Sequence, residues 1–365
     1  MKLVEKTLFL ILVLLRLSSA SPGDELDEFQ DCVKKCDVLT CGNTMNSRFT
    51  RNEVKLFQKQ QELYKLFDEM PLPLHLTLVG WDCLSNCDYQ CQRIVTKKRK
   101  IDNEEIYQFH GKWPFIRVFG IQEFFSTAFS IGNFIPHYLG YKKMKFLYLK
   151  NERQDSDFKN LYFCNLLVSI ITMTAWVFST LFHLKDTNLR EKLDYFFAAA
   201  TVLTAFYALC VRVFKLYLSQ NNNKRKVFTI FCISLYVYHV RRLLLDWSYT
   251  YNMQANVFVG ILQYFLWIYL SISTFKKMVD KRNNLHSYVE YLNFINMKEY
   301  NWTLTPILLI LCVAFGMSFE LFDFPPILDL LDAHAIWHFI TIFPGFYWYD
   351  YMCKDIETLR EKKFY

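Results

Sequence analysis

Five residues in this chain have the types and spacing to do chemistry together. Ser179 and His183 lie four apart in WVFSTLFH, Asp194 follows in EKLDYF, and His334 and His338 lie four apart in DAHAIWH. Residues four apart share one face of a helix, so the serine sits one turn from His183 and the two later histidines point the same way. Three neutral imidazoles with a fourth position left open make a catalytic zinc site. There Asp194 could orient a metal-bound water or take its proton, and Ser179 could donate a hydrogen bond to a developing oxyanion. Singly, each residue has a plainer reading: a cavity histidine, a serine bonded back to a helical carbonyl, an aspartate capping a helix. Together they count for more, because ionisable groups inside a membrane are costly and usually functional. The other histidines do not join them. His75 falls in an amino-terminal segment, His137 and His286 on the opposite side of the membrane, and His110 and His239 could at most support the set from behind.

The elements that must position these residues are membrane helices. The chain has 365 residues, 53% of them hydrophobic and 18% aromatic, with only 10 Gly and 9 Pro, which excludes collagen-like and disordered classes. Seven apolar runs of bilayer length lie near 115–139, 161–183, 193–216, 227–245, 255–275, 303–322 and 332–351. The net charge of +7 does not mark a nucleic-acid binder, because the basic residues fall in short loops. Segments 141–160, 218–226, 275–301 and 352–365 carry eighteen Lys and Arg, against three in 184–192, 246–254 and 323–331. This asymmetry predicts a lumenal amino terminus and a cytosolic carboxyl terminus. The sequon at Asn301 then faces the cytosol and stays unglycosylated. The tail 352–365 ends Lys362-Lys363-Phe364-Tyr365, a dilysine signal of the kind a coat receptor reads.

Residues 1–20 read as a cleaved signal peptide, with an apolar stretch from Phe9 to Leu15 and small residues before Ala20. The segment 21–112 that follows has no bilayer-length run and holds Cys32, Cys36, Cys41, Cys83, Cys87 and Cys91. Cys32/Cys36 and Cys83/Cys87/Cys91 have helical spacing, so two antiparallel helices could be laced by bridges. Six cysteines allow fifteen pairings and the sequence does not choose among them. A zinc knuckle competes, but the oxidising lumen favours disulfides. The expected fold is therefore an all-α membrane protein: a seven-helix bundle over 113–351 under a small disulfide-rich lumenal domain.

The combination of SxxxH (Ser179, His183), Asp194 and the late HxxxH (His334, His338) resembles the CREST superfamily of seven-helix metal hydrolases, which includes alkaline ceramidases and adiponectin-type receptors. The stretches WDCLSNCDYQCQ, FHGKWPF, QEFFSTAFSIGNFIPHY, DWSYTYNM and DAHAIWH are similar to one branch, the post-GPI-attachment-to-proteins or Per-one-like family, and close to its fungal members. That resemblance implies a phospholipase A2-type removal of the sn-2 acyl chain from the inositol phospholipid of GPI-anchored proteins, with zinc as cofactor, in the lumenal leaflet of the endoplasmic reticulum membrane. Arg241 and Arg242 could hold the lipid phosphate or simply reach the interface. Trp113 and Arg117 read as interfacial anchors. A ceramidase-like amidase is the alternative enzyme, although ceramidases of the superfamily lack a Cys-rich domain. A lipid receptor or metal-handling protein without turnover is the alternative outside enzymes.

Overall fold

Cysteine spacing organises the amino-terminal region. The computed structural model describes residues 21–42, 51–150, 156–283 and 300–363; the leader and the last two residues of the KKFY ending lie outside them, as do the side chains of Lys362 and Lys363. Helix α1 (Asp27–Cys36) carries Asp27 and Glu28 in its first turn and Lys34 and Lys35 in its last, matching the helix dipole. One π-helical turn, Asp37–Cys41, continues it and stops at Gly42, whose φ of 75° suits a residue without Cβ. After α2 (Arg51–Tyr64) and the short α3 (Leu74–Val79), helix α4 (Cys83–Ile101) opens with a capping box between Asp82 and Ser85. The pairing left open by the sequence is Cys32–Cys91, Cys36–Cys87 and Cys41–Cys83, three rungs that lace α1 and its π-turn antiparallel to α4. Phe29, Phe67, Val95 and Phe109 pack around the buried cystines.

Seven long helices follow: α5 (Phe124–Lys150), α6 (Ser156–Leu184), α7 (Asn188–Val213), α8 (Asn222–Leu245), α9 (Tyr249–Asn283), α10 (Thr305–Phe322) and α11 (Ala333–Lys363). Among the described residues, five segments are long and apolar enough to cross a membrane: Asp157–Leu184, Asn188–Val213, Ser219–Leu245, Tyr249–Val279 and Tyr300–Phe322. The protein is thus multi-pass. The two helices outside this set, α5 and α11, also turn polar residues inward, including Ser130, Asn133 and His338, all buried.

Two boundaries differ from the sequence reading. The run expected at 115–139 starts its helix only at Phe124, because 115–123 turns back on itself through the Val118–Ile121 bridge. Nor does the last helix break near 351; it continues to Lys363.

Helices α5, α6, α7, α9, α10 and α11 contact one another in a closed ring, with α8 packed outside on α7. Helices α5 and α11 approach closely. A Cβ on Gly140 would run into the Tyr349 ring, and one on Gly132 would lie 2.7 Å from Ile342. Small residues at such crossings let membrane helices touch through their backbones. This contact brings the first turns of α11 against Ser130 and Asn133.

Candidate metal centre

His183 sits in the last turn of α6, and His334 and His338 occupy the first turns of α11. Their ring centroids are 5.0 Å (183–334), 5.1 Å (183–338) and 4.4 Å (334–338) apart. One ligand nitrogen from each lies within 4.8 Å of the others.

Each ring is held from behind through Nδ1. The His183 Nδ1 meets Glu123 Oε2 at 2.8 Å and the His334 Nδ1 meets Glu320 Oε2 at 2.6 Å. An ionised carboxylate only accepts, so both protons belong on Nδ1. The His338 Nδ1 lies 3.0 Å from Ser130 Oγ. Ser130 gives its single proton to the Ser126 carbonyl at 2.8 Å, so its oxygen accepts from His338 as well. With all three Nδ1 positions occupied, the Nε2 lone pairs converge. His183 Nε2 and His334 Nε2 are 3.2 Å apart, and two acceptors at that distance repel unless a cation or a proton lies between them. Imidazoles oriented by carboxylates are the usual arrangement behind a metal, and the donor set fits zinc.

Local backbone chemistry explains how the acids arrive. The N–H groups of Gln122 and Glu123 donate to the carbonyls of Leu184 and His183, at 2.9 and 3.0 Å. They satisfy orphan acceptors at the end of α6 and fix Glu123 beside the ring it serves. The Lys112 ammonium bonds the other Glu123 oxygen, sits 3.7 Å from Asp186, and lies over the Phe182 ring. Burial disfavours the Lys112 charge, yet Glu123 and Asp186 raise its pKa above the usual lysine value. On the other side Tyr249 donates to Glu320 at 3.1 Å, and Asn133 Nδ2 donates to the His338 carbonyl at 2.7 Å.

The remaining candidates separate. Ser179 Oγ is 3.0 Å from Ser130 Oγ, so its hydroxyl supports the group behind His338. Asp194 lines the same cavity as the three histidines and, among the described residues, makes no hydrogen bond or ion pair, leaving its carboxylate free. Arg241 and Arg242 do not line the cavity. Arg241 is exposed, and Arg242 is engaged by Asp246 at 2.7 Å. A second cluster with metal-like spacing, Cys41, Cys83 and Cys87, is consumed by the disulfides.

Glu123, Glu320 and Ser130, which hold the three rings, are not among the candidates read from the sequence. An acid within an apolar run is the signal that could have found the first two, because a charge there needs a reason.

The cavity holding the cluster has a volume of about 1420 Å³. From the histidines it runs between α6, α7, α9 and α11 down to Arg212 and Asp355, which pair at 2.8 Å. Along α7, Asp194 and Arg212 are separated by about 27 Å of helix rise, close to a bilayer's hydrocarbon thickness. Such a space is larger than a drug-sized pocket and suits a lipid.

Comparison with known proteins adds to the geometry. Residues 73–356 match the model of the Per1-like family. The chain is 40% identical over 356 residues to Protein PER1 of Saccharomyces cerevisiae, covering 96% of both chains. It is 35% identical over 351 residues to the PER1 homolog of Schizosaccharomyces pombe, covering 95% of this chain and 91% of that protein. It is also 32% identical over 348 residues to the GPI-specific phospholipase A2-like PGAP3 of Xenopus laevis, covering 95% of this chain and 94% of the relative.

Proposed function

The chain belongs to the Per1-like family, and from that premise we propose that it remodels GPI anchors by metal-dependent hydrolysis of the sn-2 acyl ester of their inositol phospholipid. The name GPI-specific phospholipase A2-like, carried by relatives of nearly full-length similarity, supports the substrate and bond. One structural observation carries the chemistry: three imidazoles whose Nδ1 atoms are all engaged and whose Nε2 atoms converge.

His183, His334 and His338 would hold a zinc ion. When bound, that ion supplies Lewis acidity toward the ester carbonyl and lowers the pKa of water. Glu123 and Glu320 keep two of the imidazoles in the tautomer that presents Nε2, and Ser130 does so for the third. Asp194, with its carboxylate free, is the group placed to accept a proton from the attacking water and to return it to the departing glycerol oxygen. Ser179 acts through Ser130 on His338. In this reading the apolar length of the cavity receives the acyl chain and excludes water from it.

The seven long helices are read as seven spans. This puts the histidines at the lumenal face with the disulfide domain 21–112 above them, the bundle over 113–351 and the tail 352–365 in the cytosol. Residence in the endoplasmic reticulum, with a coat receptor reading the terminal dilysine, is part of the same proposal. The test is release of fatty acid and lyso-GPI by the purified full-length protein, with and without chelator. His183→Ala and His338→Ala should abolish both release and bound metal. Normal remodelling by both variants would refute the reading, and a glycan on Asn301 would refute the topology.

A further inference from the structure

Three unusual features meet where the amino-terminal domain packs against the turn that follows the His183 helix. The first is apolar. Helix α3 buries Leu76 but leaves Leu74 (72%) and Leu78 (77%) exposed, four apart on one face. Beside it Phe119 is 82% exposed at the tip of the Val118–Ile121 turn, where it holds a φ of 53°. A phenylalanine in the left-handed region is strained, and this one is kept there with its ring in the open. Trp81 fastens the turn to the domain, its Nε1 donating to the Gly120 carbonyl at 2.7 Å.

The second feature is cationic. The Arg117 guanidinium lies between two rings, 4.5 Å from the centroid of Trp81 and 4.1 Å from that of Tyr89. Its Nη1 is buried and has no hydrogen-bond partner, a costly state for a charged donor. Lys185 lies over the same Trp81 ring at 4.8 Å, and Arg190 donates to the carbonyls of Lys185 and Val79 at 2.9 and 3.4 Å. Among the described residues none of these three cations forms an ion pair with a carboxylate, although Asp68, Asp82 and Asp186 lie near enough to be felt.

The third feature is position. Lys185 and Arg190 flank the turn between the candidate spans Asp157–Leu184 and Asn188–Val213. That turn lies at the membrane surface, and Val79 and Trp81 are packed on it. The exposed leucines and Phe119 therefore sit beside the ends of two candidate spans.

We propose that this face is an interfacial foot that docks on the membrane beside the bundle, with Leu74, Leu78 and Phe119 inserted among acyl chains and Arg117 and Arg190 matched to the phosphate of an anionic phospholipid, while the buried Lys185, bonded to the Asp186 carbonyl, adds positive charge from behind. Apolar prongs rimmed by unpaired cations are what such a surface requires. The foot sets the height and tilt of the disulfide domain over the cavity, and it is distinct from the acyl-binding space.

Hydrogen exchange of the full chain in nanodiscs provides the test. The segments 73–81 and 115–122 should exchange more slowly in equimolar phosphatidylcholine and phosphatidylserine than in phosphatidylcholine alone. Arg117→Gln should weaken that dependence about fivefold, the factor expected for one cation at a charged bilayer surface. Phe119→Asp should leave both segments fast in either lipid. If non-reducing mass spectrometry shows that this variant has lost its disulfides, Leu78→Asp takes its place. Equal exchange in the two lipids, or an undiminished difference in Arg117→Gln, would overturn the proposal. So would protection that appears only when a GPI-anchored protein is added, since the face would then belong to substrate binding.

Discussion

The disulfide domain and the three-histidine cluster, the candidate metal centre, solve the same problem with opposite means. In the domain, side chains from helices far apart in sequence are joined covalently by three cystines surrounded by a few aromatic rings. In the centre, His183, His334 and His338 are joined by hydrogen bonds alone: two carboxylates, one hydroxyl and the lysine and tyrosine behind them. The difference follows from surroundings. A segment of about 90 residues buries too little apolar surface to be secure unaided, whereas a bilayer excludes water around a polar network and makes an unsatisfied group expensive. Covalent ties therefore set the stability of one region, and electrostatic ties set the chemistry of the other.

The comparison breaks most visibly if ligands are removed. His338→Ala should abolish hydrolysis and metal binding while leaving all three disulfides formed, as read by activity, metal analysis and non-reducing mass spectrometry. Next in size, Glu123→Gln replaces the acceptor behind His183 with an amide and should weaken metal affinity about 10–100-fold. Competition with a chelator measures it, and an unchanged affinity would detach Glu123 from the centre. On the other side, replacing Cys36 and Cys87 together by Ser should destabilise the domain by about 2–5 kcal/mol. Limited proteolysis should then cut within 21–112 first, with the helical bundle intact.

Smaller effects sharpen the boundary between the two regions. Asp329, in the loop between α10 and α11, accepts from Arg93 and Lys100 of α4 at 2.9 and 2.5 Å. These bonds hold its pKa below the usual carboxylate value despite the opposing effect of burial. The groups are partly exposed, so Asp329→Asn should cost about 1 kcal/mol or less, measurable as a lower melting temperature of the domain. His110 is raised to about 9, chiefly by its hydrogen bond to Asp88, with burial opposing and Asp24 adding attraction. A group whose folded pKa is raised stabilises fully below its unfolded value of about 6.5 and loses that contribution as pH rises. The domain should therefore weaken between about pH 6.5 and about 9, and His110→Gln should flatten that slope in thermal scans.

Legibility divided along the same line. The helical spacing of Cys32/Cys36 and of Cys83/Cys87/Cys91 announced two laced helices, but only three-dimensional packing selects the antiparallel rungs. The two i, i+4 pairs, Ser179/His183 and His334/His338, were visible as shared helix faces because that relation is local. The groups behind them were not, because Glu123, Ser130 and Glu320 meet the histidines across 14 to 208 residues of sequence. Arg241 and Arg242, which the sequence leaves between holding a phosphate and reaching the interface, lie off the cavity. The run 115–139 misled because its apolar residues serve a turn packed under the disulfide domain as well as a helix.

The central claim is that the three-histidine cluster holds a metal that the chemistry requires. The most direct measurement is metal content and lyso-GPI release of one purified full-length preparation, taken before chelation, after chelation and after zinc is restored. The account predicts one zinc per chain, loss of release with the metal, and recovery of both together. Undiminished release from metal-free protein would contradict it.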